Sequence, residues 1–236
     1  MKQILSLLLI AALPVFASAQ KVITDPNAQV RAVGSFHAIK VSNAIDIYIS
    51  QSDKEALAVS AAKDEFRDRI RASVENGVLT IWYDNDSKNW NSNKKLKAYI
   101  SVKTLDKITA SGASDVYVEG TLKGGDLAFD LSGASDFKGA VEVTSLTSKM
   151  SGASDVTISG TAGVLTIDAN GASDFKGYDL RVDKCSIEAS GASDVKITVN
   201  KELNARVSGA SDVNYRGDAV IRDIKTSGAS SVSRKG

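Results

Sequence analysis

Beyond about residue 107, apolar side chains recur at alternate positions. Leu165, Ile167 and Ala169 alternate with Thr166, Asp168 and Asn170, and the parity continues through Gly171, Ser173, Phe175 and Gly177. Leu127, Phe129, Leu131, Gly133, Ser135 and Phe137 follow the same rule, as do Leu146, Ser148, Met150, Gly152, Ser154, Val156 and Ile158. A period of two predicts β-strands with one face turned inward, and the Val, Ile, Thr and Phe content suits strands. Glycine and serine share the apolar parity, so they are expected inside, with the intervening Ala and Asp outside.

A second period, near 20 residues, lies over the first. The pentapeptide Ser-Gly-Ala-Ser-Asp stands at 111–115, 132–136, 151–155, 190–194 and 208–212, with close variants at 170–174 and 227–231. Its glycines, at 112, 133, 152, 171, 191, 209 and 228, are 21, 19, 19, 20, 18 and 19 residues apart. Such regularity marks a stack in which each repeat contacts its neighbours. The predicted fold is all-β: a β-solenoid, or parallel β-helix-like stack of ~20-residue rungs, with a less regular N-terminal β region. Seven rungs at ~4.8 Å would extend roughly 34 Å.

The motif is then an architectural corner. Gly112, Ser114 and Asp115 form its first step, and Gly133, Ser135 and Asp136 its second. Gly152, Ser154 and Asp155 follow, then Gly171, Ser173 and Asp174. Gly191, Ser193 and Asp194, and Gly209, Ser211 and Asp212, complete the ladder. Glycine adopts the backbone angles of a bend, a buried hydroxyl needs a hydrogen-bond partner, and aspartate caps turns. Lys138, Lys176 and Lys196, two residues after an aspartate, are the expected counter-charges to the aspartate column.

The first half of the chain is less regular but related. Residues 41–49 (VSNAIDIYI) align with 110–118 (ASGASDVYV), asparagine replacing glycine at a position that favours positive φ. Further strands are expected at 57–61, 70–74, 78–83 and 96–102, with one helical turn within 64–69 and a hairpin at Asn76-Gly77. A boundary near Asp106 divides an N-terminal β region, 20–105, from the repeat solenoid, 106–236; the alternative is one continuous domain over 30–236.

Met1-Lys2, the apolar run from Ile4 to Ala12 and Ala17-Ser18-Ala19 read as a signal peptide, residues 1–19. No cysteine near that cut offers a lipid anchor, and no later segment has the roughly 20 apolar residues of a membrane span. Export is expected, to periplasm, outer surface or medium. The formal charge of +1 over the whole chain gives no general attraction to nucleic acid. Cys185 is the single cysteine and His37 the single histidine, which excludes an intramolecular disulfide and every multi-histidine metal site.

Phe36, Ile39, Val41, Asp46, Ile47, Ile49 and Gln51 resemble the entry motif of the autotransporter adhesin head GIN domain family. The Ser-Gly-Ala-Ser-Asp ladder resembles that family's repeated core, so the resemblance covers about residues 30 to 220. It implies an exported bacterial protein of stacked short β-strands and carries no catalytic residues.

Chemistry enters at one loop. Residues 82–93, WYDNDSKNWNSN, hold both tryptophans of the chain, and aromatics among amides suit stacking on sugars or a protein hot spot. Trp82, Asp84, Asp86, Asn89, Trp90 and Asn91 are the candidate partner-binding residues. Asp84, Asp86 and Lys88 imitate the opening of a calcium loop, but the lysine and the missing glycine and glutamate exclude it. No catalytic residue, metal or cofactor is expected. The expected function is an envelope or extracellular binding module, non-catalytic, engaging glycan or surface protein. The alternatives are a polysaccharide-acting enzyme on a β-helix scaffold and a purely structural envelope protein.

Overall fold

The computed structural model describes residues 24–84 and 93–236. Its frame is a run of long, bent parallel strands: β9 (Val116–Leu131), β10 (Phe137–Met150), β11 (Asp155–Ala169), β12 (Asp174–Ala189) and β13 (Asp194–Val207). Each pairs in register with the next along nearly its whole length. The chain is a β-solenoid of about seven turns. The short strands β14 (Asp212–Arg216), β15 (Val220–Thr226) and β16 (Ser231–Arg234) complete the stack.

Alternation of buried and open positions explains the bends. In β11, Val156 and Ile158 point inward, then Ala162, then Leu165, Ile167 and Ala169. The inward parity holds from Val156 to Ala162, past Gly160 at φ +108°, and shifts once, between Ala162 and Leu165, where the strand turns. Inward residues stack in columns. Val116, Phe137, Val156, Phe175, Val195 and Val213 lie in one register line and are at most 1% exposed. Large and small side chains alternate along its first rungs, which fills a narrow interior at close-packed density.

The motif corner differs from the expectation in one respect: its glycines face solvent, and the second serine alone is sealed inside. Ser114, Ser135, Ser154, Ser173, Ser193 and Ser211 are 0% exposed. Glycine is required for two other reasons. Its φ lies between +75° and +84° at every motif from Gly112 to Gly228, a region side chains rarely adopt. A Cβ on Gly133, Gly152, Gly171, Gly191, Gly209 or Gly228 would also strike the carbonyl oxygen of the motif glycine one rung earlier.

The N-terminal strands fit the same stack. β2 (Ala38–Val41) and β3 (Asp46–Gln51) flank a corner at Asn43, φ +67°. Ile47, Tyr48 and Ile49 pair with Val116, Tyr117 and Val118, the alignment read from sequence. β8 (Lys107–Ala110) pairs with both β2 and β9. Below them, β6 (Val78–Tyr83) runs parallel to β2, and β7 (Lys97–Val102) parallel to β3. β5 (Ile70–Glu75) closes one edge as an antiparallel hairpin with β6 through Asn76-Gly77, both at positive φ. β4 (Ala56–Ser60) and β1 (Gln29–Arg31) close the other, also antiparallel. The only helix among the described residues is the single turn α1 (Asp64–Arg67); no helix there is long and apolar enough to cross a membrane.

Gly152→Val joins an overlap with the Gly133 carbonyl to a branched side chain at positive φ, and should cost on the order of 3 kcal/mol. Asp155 is 37% exposed and meets Lys176 at 2.6 Å, so Asp155→Asn should lose less than about 1 kcal/mol. Melting temperatures of the two variants check this ordering; the reverse order would contradict it.

Candidate functional site

The stacked corners define which parts of the chain are free to vary. In the Asn43 rung, four residues, Ser42 to Ile45, lead from β2 to β3. In the rung below, the chain between the corresponding strands β6 and β7 runs from Asp84 to Leu96. The candidate loop therefore stands in the chain where a four-residue corner stands one rung later. Trp82 is partly buried on β6, opposite Arg71 of β5. Asp84 accepts from Arg71 at 3.4 Å, and its amide donates to the Arg69 carbonyl. Asp86, Asn89, Trp90 and Asn91 lie outside the described residues.

Across β7, β3 and β9 runs a stack of three tyrosines, half-buried on the outer face. Tyr99 and Tyr48 stack with ring centroids 5.3 Å apart, Tyr48 and Tyr117 at 5.1 Å. Tyr99 donates its hydroxyl to Asp25 at 2.8 Å and Tyr117 to Asp115 at 3.1 Å. The Lys97 ammonium stands 5.9 Å from the Tyr48 ring centre. Burial, with the neighbouring carboxylates, raises the hydroxyl pKa of all three, that of Tyr117 to about 12. They are neutral donors at physiological pH. Sequence reasoning aligned Tyr48 with Tyr117 but did not bring in Tyr99, which lies outside the Ser-Gly-Ala-Ser-Asp repeat; the pattern Lys97-Ala98-Tyr99-Ile100 beside Asp46-Ile47-Tyr48-Ile49 was the available signal.

The motif serines form an internal chain of hydrogen bonds. Ser154, Ser173 and Ser193 donate to the carbonyls of Ser151, Asn170 and Ser190, at 3.0–3.1 Å. Ser173, Ser193 and Ser211 accept from the serine amide one rung earlier, at 3.1–3.5 Å. The Ser173 and Ser193 hydroxyls both donate and accept, and all four are closed to solvent. His37 bonds Asp106 through Nδ1 at 2.7 Å. That pair is about half exposed, so it does not meet the sealed serine column.

The aspartates stand outside the same corner. Asp46, Asp115 and Asp136 each accept from the backbone amide of the next rung's aspartate, at 3.2–3.5 Å. Desolvation first, then Asp115, raises the pKa of Asp46; desolvation also raises that of Asp136. Lys176 bridges Asp155 at 2.6 Å and Asp174 at 3.3 Å, and the bond to Asp155 raises its own pKa. Among the described residues no three acidic, histidine or cysteine side chains converge as a metal site.

Comparison with solved structures places the same stack in other bacterial proteins. The chain is similar to a putative adhesin from Bacteroides fragilis, with TM-score 0.83, 23% identity, and coverage of 88% of this chain and 96% of that one. A putative adhesin from Parabacteroides distasonis gives 0.69 and 20%, covering 88% and 96%. A putative lipid binding protein from the same species gives 0.64 and 18%, covering 90% and 98%. At these identities the likeness is one of fold. No curated protein matches this chain. Residues 35–219 match the family described as putative auto-transporter adhesin, head GIN domain, and the chain belongs to that family.

Proposed function

We propose that this protein is an exported, non-catalytic binding module of the cell envelope, engaging glycan or surface protein through the connection between β6 and β7. The observation that carries the reading is a departure from economy. Corners elsewhere in the stack use four or five residues, whereas this one runs from Asp84 to Leu96 and carries an aromatic and amide-rich sequence. A rung needs no such length, and loops positioned by a rigid scaffold are where recognition is commonly carried. Trp82 on β6 supplies an aromatic side chain of the kind that suits sugars or a protein anchor. The family's adhesin description agrees with this class of function.

Binding to a glycan array and to envelope extracts identifies the partner, and Trp90→Ala then tests the surface. Loss of an anchoring tryptophan should weaken binding by about 2 kcal/mol, ~30-fold, with an unchanged melting temperature. Unchanged affinity would remove Trp90 from the contact. Absence of any partner would favour a structural envelope role.

The sealed serines generate a second expectation. A fluorophosphonate probe should leave Ser114, Ser135, Ser154, Ser173, Ser193 and Ser211 unmodified in the folded protein, because none is exposed and their hydroxyls belong to the internal hydrogen-bonded column. Mass-spectrometric detection of label on any of them would contradict the non-catalytic reading.

A further inference from the structure

The two ends of the solenoid are finished differently. At the N-terminal end, antiparallel β5 and β4 lie on β6 and β7, and the three-residue β1 lies beyond β4. At the other end β15 pairs with β13 alone and β16 with β14 alone. Register sets Ile221 over Leu203 and Ile224 over Ala205. Leu203 and Ala205 are 0% and 1% exposed, whereas Ile221 and Ile224 are 39% and 38%, and Val220 is 54%. These isoleucines occupy core columns that lack the next layer. An open strand edge of this kind is a ready template for another strand.

We infer that β15 pairs with β15 of a second copy, the two solenoids meeting end to end about a two-fold axis. Antiparallel self-pairing must set same-face residues opposite one another, which leaves registers centred on single residues. Centring on Asp223 puts two aspartates face to face, and centring on Lys225 puts two lysines face to face; like charges directly opposite are unfavourable. Centring on Ile224 sets Asp223 of each copy opposite Lys225 of the other, twice, on the outer face. The two Ile224 side chains then meet inside, at the missing core layer. Asp223 already lies 3.5 Å from Lys225 and 3.7 Å from Arg206, so the pairing extends an existing cluster of ion pairs and leaves no lone charge at the seam. A two-fold interface uses one patch twice and closes on itself, which also removes the open β15 edge of each copy. This inference stands independently of the binding surface near Trp82, at the opposite end of the stack.

Sedimentation analysis of the purified protein over a range of concentrations tests it. The expected mass is twice that of one chain. Asp223→Lys or Lys225→Asp should shift the protein to the mass of one chain, and the double exchange Asp223→Lys with Lys225→Asp should restore the dimer, because it inverts both cross-strand pairs together. Circular dichroism melts verify that each variant is folded. A wild-type monomer at every concentration overturns the inference, as does an open series of larger species, which would indicate head-to-tail stacking. A folded double exchange that stays monomeric, or folded single variants that stay dimeric, overturns it equally.

Discussion

Everything in this protein depends on backbone stacked on backbone at one corner. The alanine amide of each motif donates to the glycine carbonyl of the motif one rung earlier, from Ala134 on Gly112 to Ala229 on Gly209, at 2.7–2.9 Å. That bond continues the sheet through a bend whose glycine and alanine face water. It demands positive φ at the glycine and forbids a Cβ there, because the neighbouring glycine carbonyl occupies that space. An exposed glycine is therefore as constrained as a core residue. The seven-fold recurrence of the motif follows from geometry, each copy being shaped by the copy below it.

Once the corner is fixed, the other motif positions follow. The second serine falls inside, where its hydroxyl accepts an amide of the rung before, donates to a carbonyl of its own rung, or does both, so each buried hydroxyl has a partner. The aspartate falls just outside, where its carboxylate receives the next rung's amide at the start of the column and Lys176 further along. Repulsion along the column is offset locally, and the column works as an external brace. The passage from β6 to β7 lies outside these corner constraints, which is where the proposed recognition is placed.

Much of this was legible in the sequence because a solenoid writes its geometry in periods. The two-residue alternation locates the strands, the spacing of the glycines locates the rungs, and Asn43 aligns with Gly112 by sequence alone. Asn76-Gly77 marked its hairpin for the same local reason. The glycine orientation was misread because parity was carried straight through the bend, where a φ near +80° rotates the chain out of the two-residue rule. The His37–Asp106 bond spans 69 residues and had no local signal; the Tyr99 contact had only the resemblance of residues 97–100 to 46–49. The exposed Ile221 and Ile224 carry the same pattern as buried rungs; only their place at the end of the stack distinguishes them.

Amide hydrogen exchange at the corners tests the central claim most directly. Ala153, Ala172, Ala192 and Ala210 are exposed residues in bends, which would ordinarily exchange quickly. If their amides are tied to the preceding glycine carbonyls, they should exchange as slowly as Leu165 and Val195 in the adjoining strands, and with the same denaturant dependence. Exchange as fast as in the exposed stretch Gly34–Ser35, outside the strands, would show that the corners are not part of the sheet, and would contradict the account.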